Sequence, residues 1–439
     1  MGKGNPKTVI LGAGLAGLSA AYHSGLPVYE ARDRVGGISD SVVKEGFVFD
    51  LGIHVLQSRI DEFLELMDDL DIGLGWHRRR ALIYSHGAYA AYPFQINTSH
   101  MPFRLRLRCI AGYLTRPKNK AFNNYYEWLV GSFGRGFAET FLVPYSEKFW
   151  RSSLKEMTFE WTGDRVPVPR LWDIVRGAFR DHHADVGTNP SFQYPSNEGA
   201  GFSAIAEALA RRIDNIHLGM KATSIDPLGR TITFNDGRQT LAYDKVISTI
   251  ALPDLIGILK DVPSGIKELA RSLKFNSIAV VNLGIGRSGI GENHWIHFPE
   301  KDISFFRISF PGNFGVGVSP AGSTPIQAEV SYDYRQPPAP GELVEGVLRD
   351  LIRVGVLSED DPVVFSDVVF LKYGYVIYDK TRREAVGEIH RYLETQGIHP
   401  CGRFGAWEYL WSDQSAMSGK RTAEMVLEQR NAERKRDAG

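Results

Sequence analysis

The sequence has almost no cysteine. Cys109 and Cys401 are its only two, too few for a disulfide framework or a thiolate metal site, so a reducing compartment, the cytoplasm, is expected. It has no excess of either charge: 51 Lys and Arg balance 51 Asp and Glu. A protein that binds nucleic acid or a membrane surface normally carries a basic excess, so neither partner is expected. No segment approaches the ~18 uninterrupted apolar residues of a membrane span. The first apolar run is interrupted by glycines, unlike a signal peptide. The chain opens Met1-Gly2-Lys3, but Pro6 stands where a myristoylation signal needs Ser or Thr. The 12 histidines show no spacing of the HExxH kind, so no metal site is expected. Internal repeats and long low-complexity segments are also lacking. What remains is ordinary globular composition, 43% hydrophobic and 23% charged over 439 residues, enough for two or three domains.

The chain is organised around residues 8–37. Thr8-Val9-Ile10-Leu11 reads as a short buried parallel strand. Gly12-x-Gly14-x-x-Gly17 follows at once. The first glycine permits the tight turn, the second lets the backbone approach a pyrophosphate, and the third lets the helix pack on the strand. Leu15 and Ala16 open a helix whose N-terminal amides and dipole face the phosphates. A second strand, Val28-Tyr29, ends in Glu30, eighteen residues after Gly12, close to the ~20 expected of a carboxylate that binds ribose hydroxyls. Strand, glycines, helix, strand and acid together predict dinucleotide binding. Glu30-Ala31-Arg32-Asp33-Arg34-Val35-Gly36-Gly37-Ile38 then matches the E-A-x-x-x-x-G-G extension, which resembles that of FAD-binding oxidoreductases of the amine oxidase type.

Farther on, Ser41 to Leu51 predicts a hairpin, and Ile60, Phe63, Leu64, Met67 and Leu70 share one helical face. From Ile96 the pattern turns helical and rich in aromatics and arginines. Asp236-Gly237 marks a hairpin turn, and Val246 to Thr249 reads as another buried strand. Alternation over Ser304 to Phe310 puts Phe306, Ile308 and Phe310 on one face and Arg307 on the other. A long helix closes the chain. The predicted fold class is α/β: a discontinuous Rossmann-like FAD-binding domain (1–95, 190–255 and 370–430), a helical insert (96–189), a strand-rich substrate domain (256–369) and a charged tail (431–439).

An ordered series of motifs resembles the flavin-dependent UDP-galactopyranose mutases, particularly the eukaryotic-like branch. Asp50-Leu-Gly52-Ile53-His54-Val55 is similar to D-x-G-G-H-V, and Tyr92-Pro-Phe94-Gln95-Ile-Asn97 to Y-P-F-Q-N-N. Phe141-Leu-Val-Pro-Tyr145-Ser146-Glu-Lys148-Phe-Trp150 is similar to F-M-x-P-Y-N-x-K-V-W, and Trp161-Thr-Gly163-Asp-Arg165-Val166 to W-L-G-E-R-V. Phe192-Gln-Tyr194-Pro195, Phe305-Phe306-Arg307, Gly374-Tyr375 and Gly402-Arg403-Phe404-Gly405-Ala406-Trp407-Glu-Tyr409 follow in the family's order. The chain departs from the pattern at Ile53, at Ser146, at His297 where the family has a tyrosine, at Val376 to Tyr378, and at Asp413-Gln414-Ser415-Ala416. These changes crowd near the sugar and flavin, so the sugar need not be galactose.

The resemblance implies that FAD is held by the glycine fingerprint, Glu30, Ala31, Arg32, Gly36, Gly37 and Ile38, then Gly52, Ile53 and His54, and finally Arg403, Asp413, Gln414 and Ser415. It implies that Tyr92, Phe94 and Gln95 meet the uracil. Phe141, Ser146 and Trp150 would line the sugar side, Asn189 would also contact the substrate, and Arg165 and His297 would stand at the diphosphate. Arg307, Arg403, Tyr375 and Tyr409 would reach the diphosphate, with His54, Arg307 and Arg403 closest to catalysis. The implied reaction is attack of reduced FAD, through N5, on the anomeric carbon of a UDP-sugar, with ring opening and reclosure between pyranose and furanose. NADPH or NADH would be the reductant, and a homo-oligomer is possible. From the residues alone Arg307 and Arg403 also fit ordinary ion pairs, and Tyr92 and Phe94 fit a hydrophobic core. An FAD-dependent oxidoreductase of the amine or protoporphyrinogen oxidase type stands as the rival reading, because fold does not fix function.

Overall fold

The computed structural model describes residues 8–117, 121–166, 168–180 and 190–437. Val9–Leu11, buried throughout, is the central strand of a parallel sheet ordered Ile398–Pro400, Val246–Ser248, Val9–Leu11, Val28–Tyr29, Ile216–His217. Three separate parts of the chain therefore supply one Rossmann-like sheet. The chain steps from Val9–Leu11 to Val28–Tyr29 on one side, while Val246–Ser248 pairs on the other. That reversal makes a crevice at the carboxyl ends of the strands.

Leu15–Ser24 covers this sheet. Gly12 takes φ +98°, and a Cβ on Gly17 would lie 1.9 Å from the Gly12 carbonyl oxygen, so only glycine lets the helix start this close to the strand. The closing helix Ser412–Asp437 lies against it at Gly419, where a Cβ would meet the Ala16 oxygen at 1.9 Å. That helix runs through the residues expected to be a charged tail: Glu433 pairs with Lys245, and the helix reaches Asp437. Residues 438–439 lie outside the described part.

A second sheet is ordered Val363–Val376, Phe275–Ile285, Thr324–Tyr332, Arg307–Ser309, Trp295–His297, Ala81–Ser85, Ala88–Ala91. The hairpin at residues 81–91 was expected with the nucleotide-binding part. It belongs by hydrogen bonding to this sheet, through a parallel pairing of Ala81–Ser85 with Trp295–His297. Helix Pro340–Arg353 buries Leu343, Val347 and Leu351 against one face. The aromatic side of the helical stretch, Phe103–Leu114, Tyr125–Phe137, Val143–Trp150 and Leu171–Gly177, approaches the other. Tyr125–Phe137 starts where Asn124 accepts from the Glu127 amide while the Glu127 carboxylate reaches back to Asn123 and Asn124, a reciprocal cap.

The alternation expected over Ser304 to Phe310 holds only in part. The strand begins at Arg307, so Phe305 and Phe306 lie in the turn before it. Phe305, Ile308 and Phe310 join the core under Pro340–Arg353, whereas Phe306 packs with Ile278 and Val280 beside Tyr145 and Phe149.

Candidate active site

The two sheets and the helical stretch enclose a cavity of about 810 Å³. At its nucleotide end lie Gly12, Gly14, Leu15 and Ala16. Gly14 caps the helix without a side-chain acceptor, and no acid sits in the first turn, so the opening amides and the dipole are offered to an anion. Gly14 bridges Gly36 across the crevice, and a Cβ on Gly37 would come within 3.1 Å of the Gly14 Cα. Side chains here would fill the cradle. Arg32 holds that turn by donating to the Gly37 carbonyl at 3.0 Å and pairing with Asp40. Glu30 is buried; its Oε2 accepts from the Ala13 amide at 2.6 Å and its Oε1 from the Arg32 amide at 2.9 Å. Each oxygen keeps a lone pair for a hydroxyl. Ala31, Ile38, Gly52, Ile53 and Ser415 extend the same wall. These residues fit an extended dinucleotide whose phosphates lie on the helix start. Gly17 is not on the wall and acts behind it, through helix packing.

The far end is lined by arginines and aromatics. Arg307 and Glu329 face each other across neighbouring strands and form a bidentate pair, Nη2 to Oε1 at 2.9 Å and Nε to Oε2. The neighbouring carboxylate holds the guanidinium pKa well above its usual value, against the opposing effect of burial. Arg403 is bound differently. Its guanidinium lies 5.1 Å from the ring centres of both Tyr375 and Tyr409, and its buried Nε has no hydrogen-bond partner among the described residues. Arg165 donates to the carbonyls of Trp161 at 2.6 Å and Tyr409 at 3.0 Å and to Gln414 at 3.3 Å, clasping the helical stretch to the C-terminal segment. Arg79 stands over Tyr92 at 4.6 Å. Among the described residues four arginines thus line this end with one carboxylate, Glu329.

The two histidines here are neutral. Burial lowers the His54 pKa to about 4 and holds His297 well below its usual value. His54 Nδ1 lies 3.1 Å from the Gly52 carbonyl. A carbonyl only accepts, so the ring proton sits on Nδ1 and Nε2 keeps a lone pair. His297 Nδ1 is 2.9 Å from the Tyr145 hydroxyl, and its ring lies beside Tyr92. Gln95, Phe141, Ser146 and Trp150 also line this end, and Trp150 packs edge-on against Tyr375 and Tyr409.

Several expected site residues lie elsewhere. Phe94 is wholly buried against Phe137 and Phe141. The strand ends at Ala91 and a 3-10 turn follows at Phe94–Ile96, so alternation does not carry past Tyr92, and Gln95 comes to the wall instead. Asp413 is buried and accepts from Ser58 at 2.7 Å. Gln414 accepts from Arg165 and the Trp411 amide. Neither lines the cavity. Asn189 lies outside the described residues.

The profile of the family described as flavin containing amine oxidoreductase matches residues 15–427. The chain belongs to that family. Within it, the fold superposes on a crystal structure of reduced UDP-galactopyranose mutase with a TM-score of 0.90 at 28% identity, covering 97% of this chain and 96% of that one. A putative protoporphyrinogen oxidase from Exiguobacterium sp. 255-15 (TM-score 0.74, 19% identity, 97% and 100% covered) shares the fold. So does cyclohexylamine oxidase from Brevibacterium oxydans IH-35A (TM-score 0.70, 14% identity, 98% and 100% covered). The family assigns a flavin to this flavoprotein fold, and the glycine cradle has the shape to hold one.

Sequence reasoning did not single out Glu329, Arg79 or Tyr125, all on the cavity wall. Glu329 did leave a signal: it is a lone carboxylate inside the apolar strand Thr324–Tyr332. A charge in such a strand needs a partner, and Arg307 is the cation opposite. Arg79 left none, since it sits in a run of three arginines, 78–80.

Proposed function

We propose that this flavoprotein is an FAD-dependent sugar-nucleotide mutase that interconverts the pyranose and furanose forms of a UDP-sugar. The observation that carries the reading is the Arg403 guanidinium, set beside two tyrosine rings with Nε unpartnered among the described residues, in a wall where arginines outnumber carboxylates. Fork-shaped donors in an enclosed site suit a diphosphate. The same wall opposes a cationic amine, which like charges would destabilise.

When bound, reduced FAD supplies the nucleophile for exchange at the anomeric carbon. The chain's own residues bind and retain. Arg403 holds the departing diphosphate together with the outer N–H groups of Arg307, whose fork Glu329 keeps fixed. Tyr92 and Gln95 contact the uracil. Trp150 and Tyr409 close the sugar side against water. His54, which would help to hold the flavin, keeps a lone pair at Nε2 and stays neutral at working pH. Retention of the leaving group matters because the same group must return to the sugar. NADPH or NADH is the proposed reductant.

The alternative is an oxidoreductase of the amine or protoporphyrinogen oxidase type, in which the arginines serve as internal ties, as Arg165 largely does. The two are separated by titrating the oxidised holoprotein with UDP and assaying peroxide release from amines and porphyrinogens in air. Saturable UDP binding without peroxide supports the mutase. Peroxide release with no UDP binding rejects it.

A further inference from the structure

The outer surface of the helical stretch presents its own pattern, independent of the cavity. Phe103, Leu107 and Leu114 recur at intervals of four and seven along Phe103–Leu114 and are exposed, whereas Leu105, Cys109 and Tyr113 form the buried stripe beside them. The segment at residues 168–180 adds Trp172, 72% exposed, and Phe179, 57% exposed. The segments run antiparallel and are pinned at both ends. Arg106 stacks over Phe103 and donates to the Ala178 carbonyl at 2.9 Å, and the Tyr113 hydroxyl donates to the Pro169 carbonyl at 2.6 Å. The exposed aromatic and aliphatic groups therefore lie on two segments held side by side. Single exposed apolar residues need no explanation, but a contiguous set marks an interaction site.

The charge around that face has one sign. The two segments, residues 103–116 and 168–180, carry seven arginines and one acid, Asp173. Arg108 is paired with Glu139, and Arg106 and Arg116 bind backbone carbonyls. Arg104, Arg170, Arg176 and Arg180 lie exposed among the apolar groups. The zero net charge of the whole chain hides this concentration. A two-fold contact with a second copy would bring two arginine-rich faces together, which costs affinity. An anionic lipid surface matches both features: apolar and aromatic groups enter the headgroup boundary while arginines bind the phosphates.

We propose that this face docks the protein reversibly on anionic membranes. The test is flotation of the full-length holoprotein with phosphatidylcholine vesicles, with and without phosphatidylglycerol, at low and high salt. Binding to the anionic vesicles alone, weakened by salt, is expected. Trp172→Ser with Phe179→Ser should cut the bound fraction tenfold or more by removing the inserted groups. Arg170→Glu and Arg180→Glu should each lower it at least about fivefold, the effect of one basic residue at such a surface. Leu228→Ser, at a residue 84% exposed elsewhere, should bind as the unaltered protein does. All these side chains are exposed, so the melting temperature should hold and show that loss of binding is not unfolding. Absence of flotation with anionic vesicles overturns the proposal. So does flotation indifferent to these substitutions, or a dimer that Trp172→Ser splits while neither form floats.

Discussion

Arg403→Ala is the substitution whose consequences are most separable. Arg403 touches the rest of the protein chiefly through the two ring faces of Tyr375 and Tyr409. Losing both contacts should cost about 1–2 kcal/mol of stability, at ~0.5–1 kcal/mol for each cation–π pair. If the guanidinium binds a diphosphate, UDP loses a charge-assisted contact worth about 1.5–3 kcal/mol. That is a rise in Kd of about 10- to 150-fold. Arg403→Lys should recover only part, because an ammonium lacks the fork. The assay is calorimetric titration of oxidised holoprotein with UDP, beside the flavin-to-protein ratio and a thermal melt. A UDP Kd within about twofold of the unaltered protein, with flavin retained, would refute the reasoning. Arg307 gives a less direct answer. Its removal leaves Glu329 as a buried unpaired carboxylate, which by itself should destabilise the fold by about 3–5 kcal/mol.

Other outcomes follow from the same geometry. Arg307→Ala should lower the urea midpoint sharply, and adding Glu329→Gln should restore part of it; a double variant no more stable than the single one would deny the pair its role. Gln95→Ala should weaken UDP binding by about 1 kcal/mol, while Phe94→Ala should instead cost about 3–5 kcal/mol of stability by leaving a cavity; the reverse pattern in titration and melting would place Phe94 on the wall after all. Stability should fall as pH drops below 6.5. His294, lowered to about 4 by burial, and His297, held well below its usual value by burial, are neutral when folded, so the unfolded chain takes up protons first, at up to about 1.4 kcal/mol per pH unit for each. Asp50, raised to about 6 by burial, acts in the opposite sense between about pH 4 and 6. Urea midpoints at pH 7 and 5 check the balance, and His294→Gln should flatten the slope.

The nucleotide end was legible because its determinants are local. Strand, glycines, helix and Glu30 lie within residues 8–37, and each glycine has a steric reason that a single sequence displays. The arginine end was legible only through resemblance. Arg307 and Arg403 come from distant segments, and what separates their surroundings, Glu329 for one and two tyrosine faces for the other, depends on strand register and on where a helix ends. Phe94 follows the strand end at Ala91 in a 3-10 turn, a local geometry that the motif match does not encode, and its ring enters the core while Gln95 reaches the wall. Phe306 leaves the expected face because the strand starts at Arg307, three residues after Ser304, so the alternation does not reach it. The hairpin at residues 81–91 joins its sheet through a parallel pairing with residues more than two hundred positions away, which no local pattern encodes.

The most direct measurement is of the chemistry itself. The holoprotein is reduced with dithionite under anaerobic conditions and incubated with UDP-galactopyranose and other UDP-hexopyranoses, and the nucleotide sugars are separated and identified. The account predicts a UDP-furanose product in equilibrium with its pyranose, many turnovers per flavin, no net flavin oxidation, and no reaction with oxidised protein. Unchanged UDP-sugars across the series, with flavin bound and fully reduced, would contradict it.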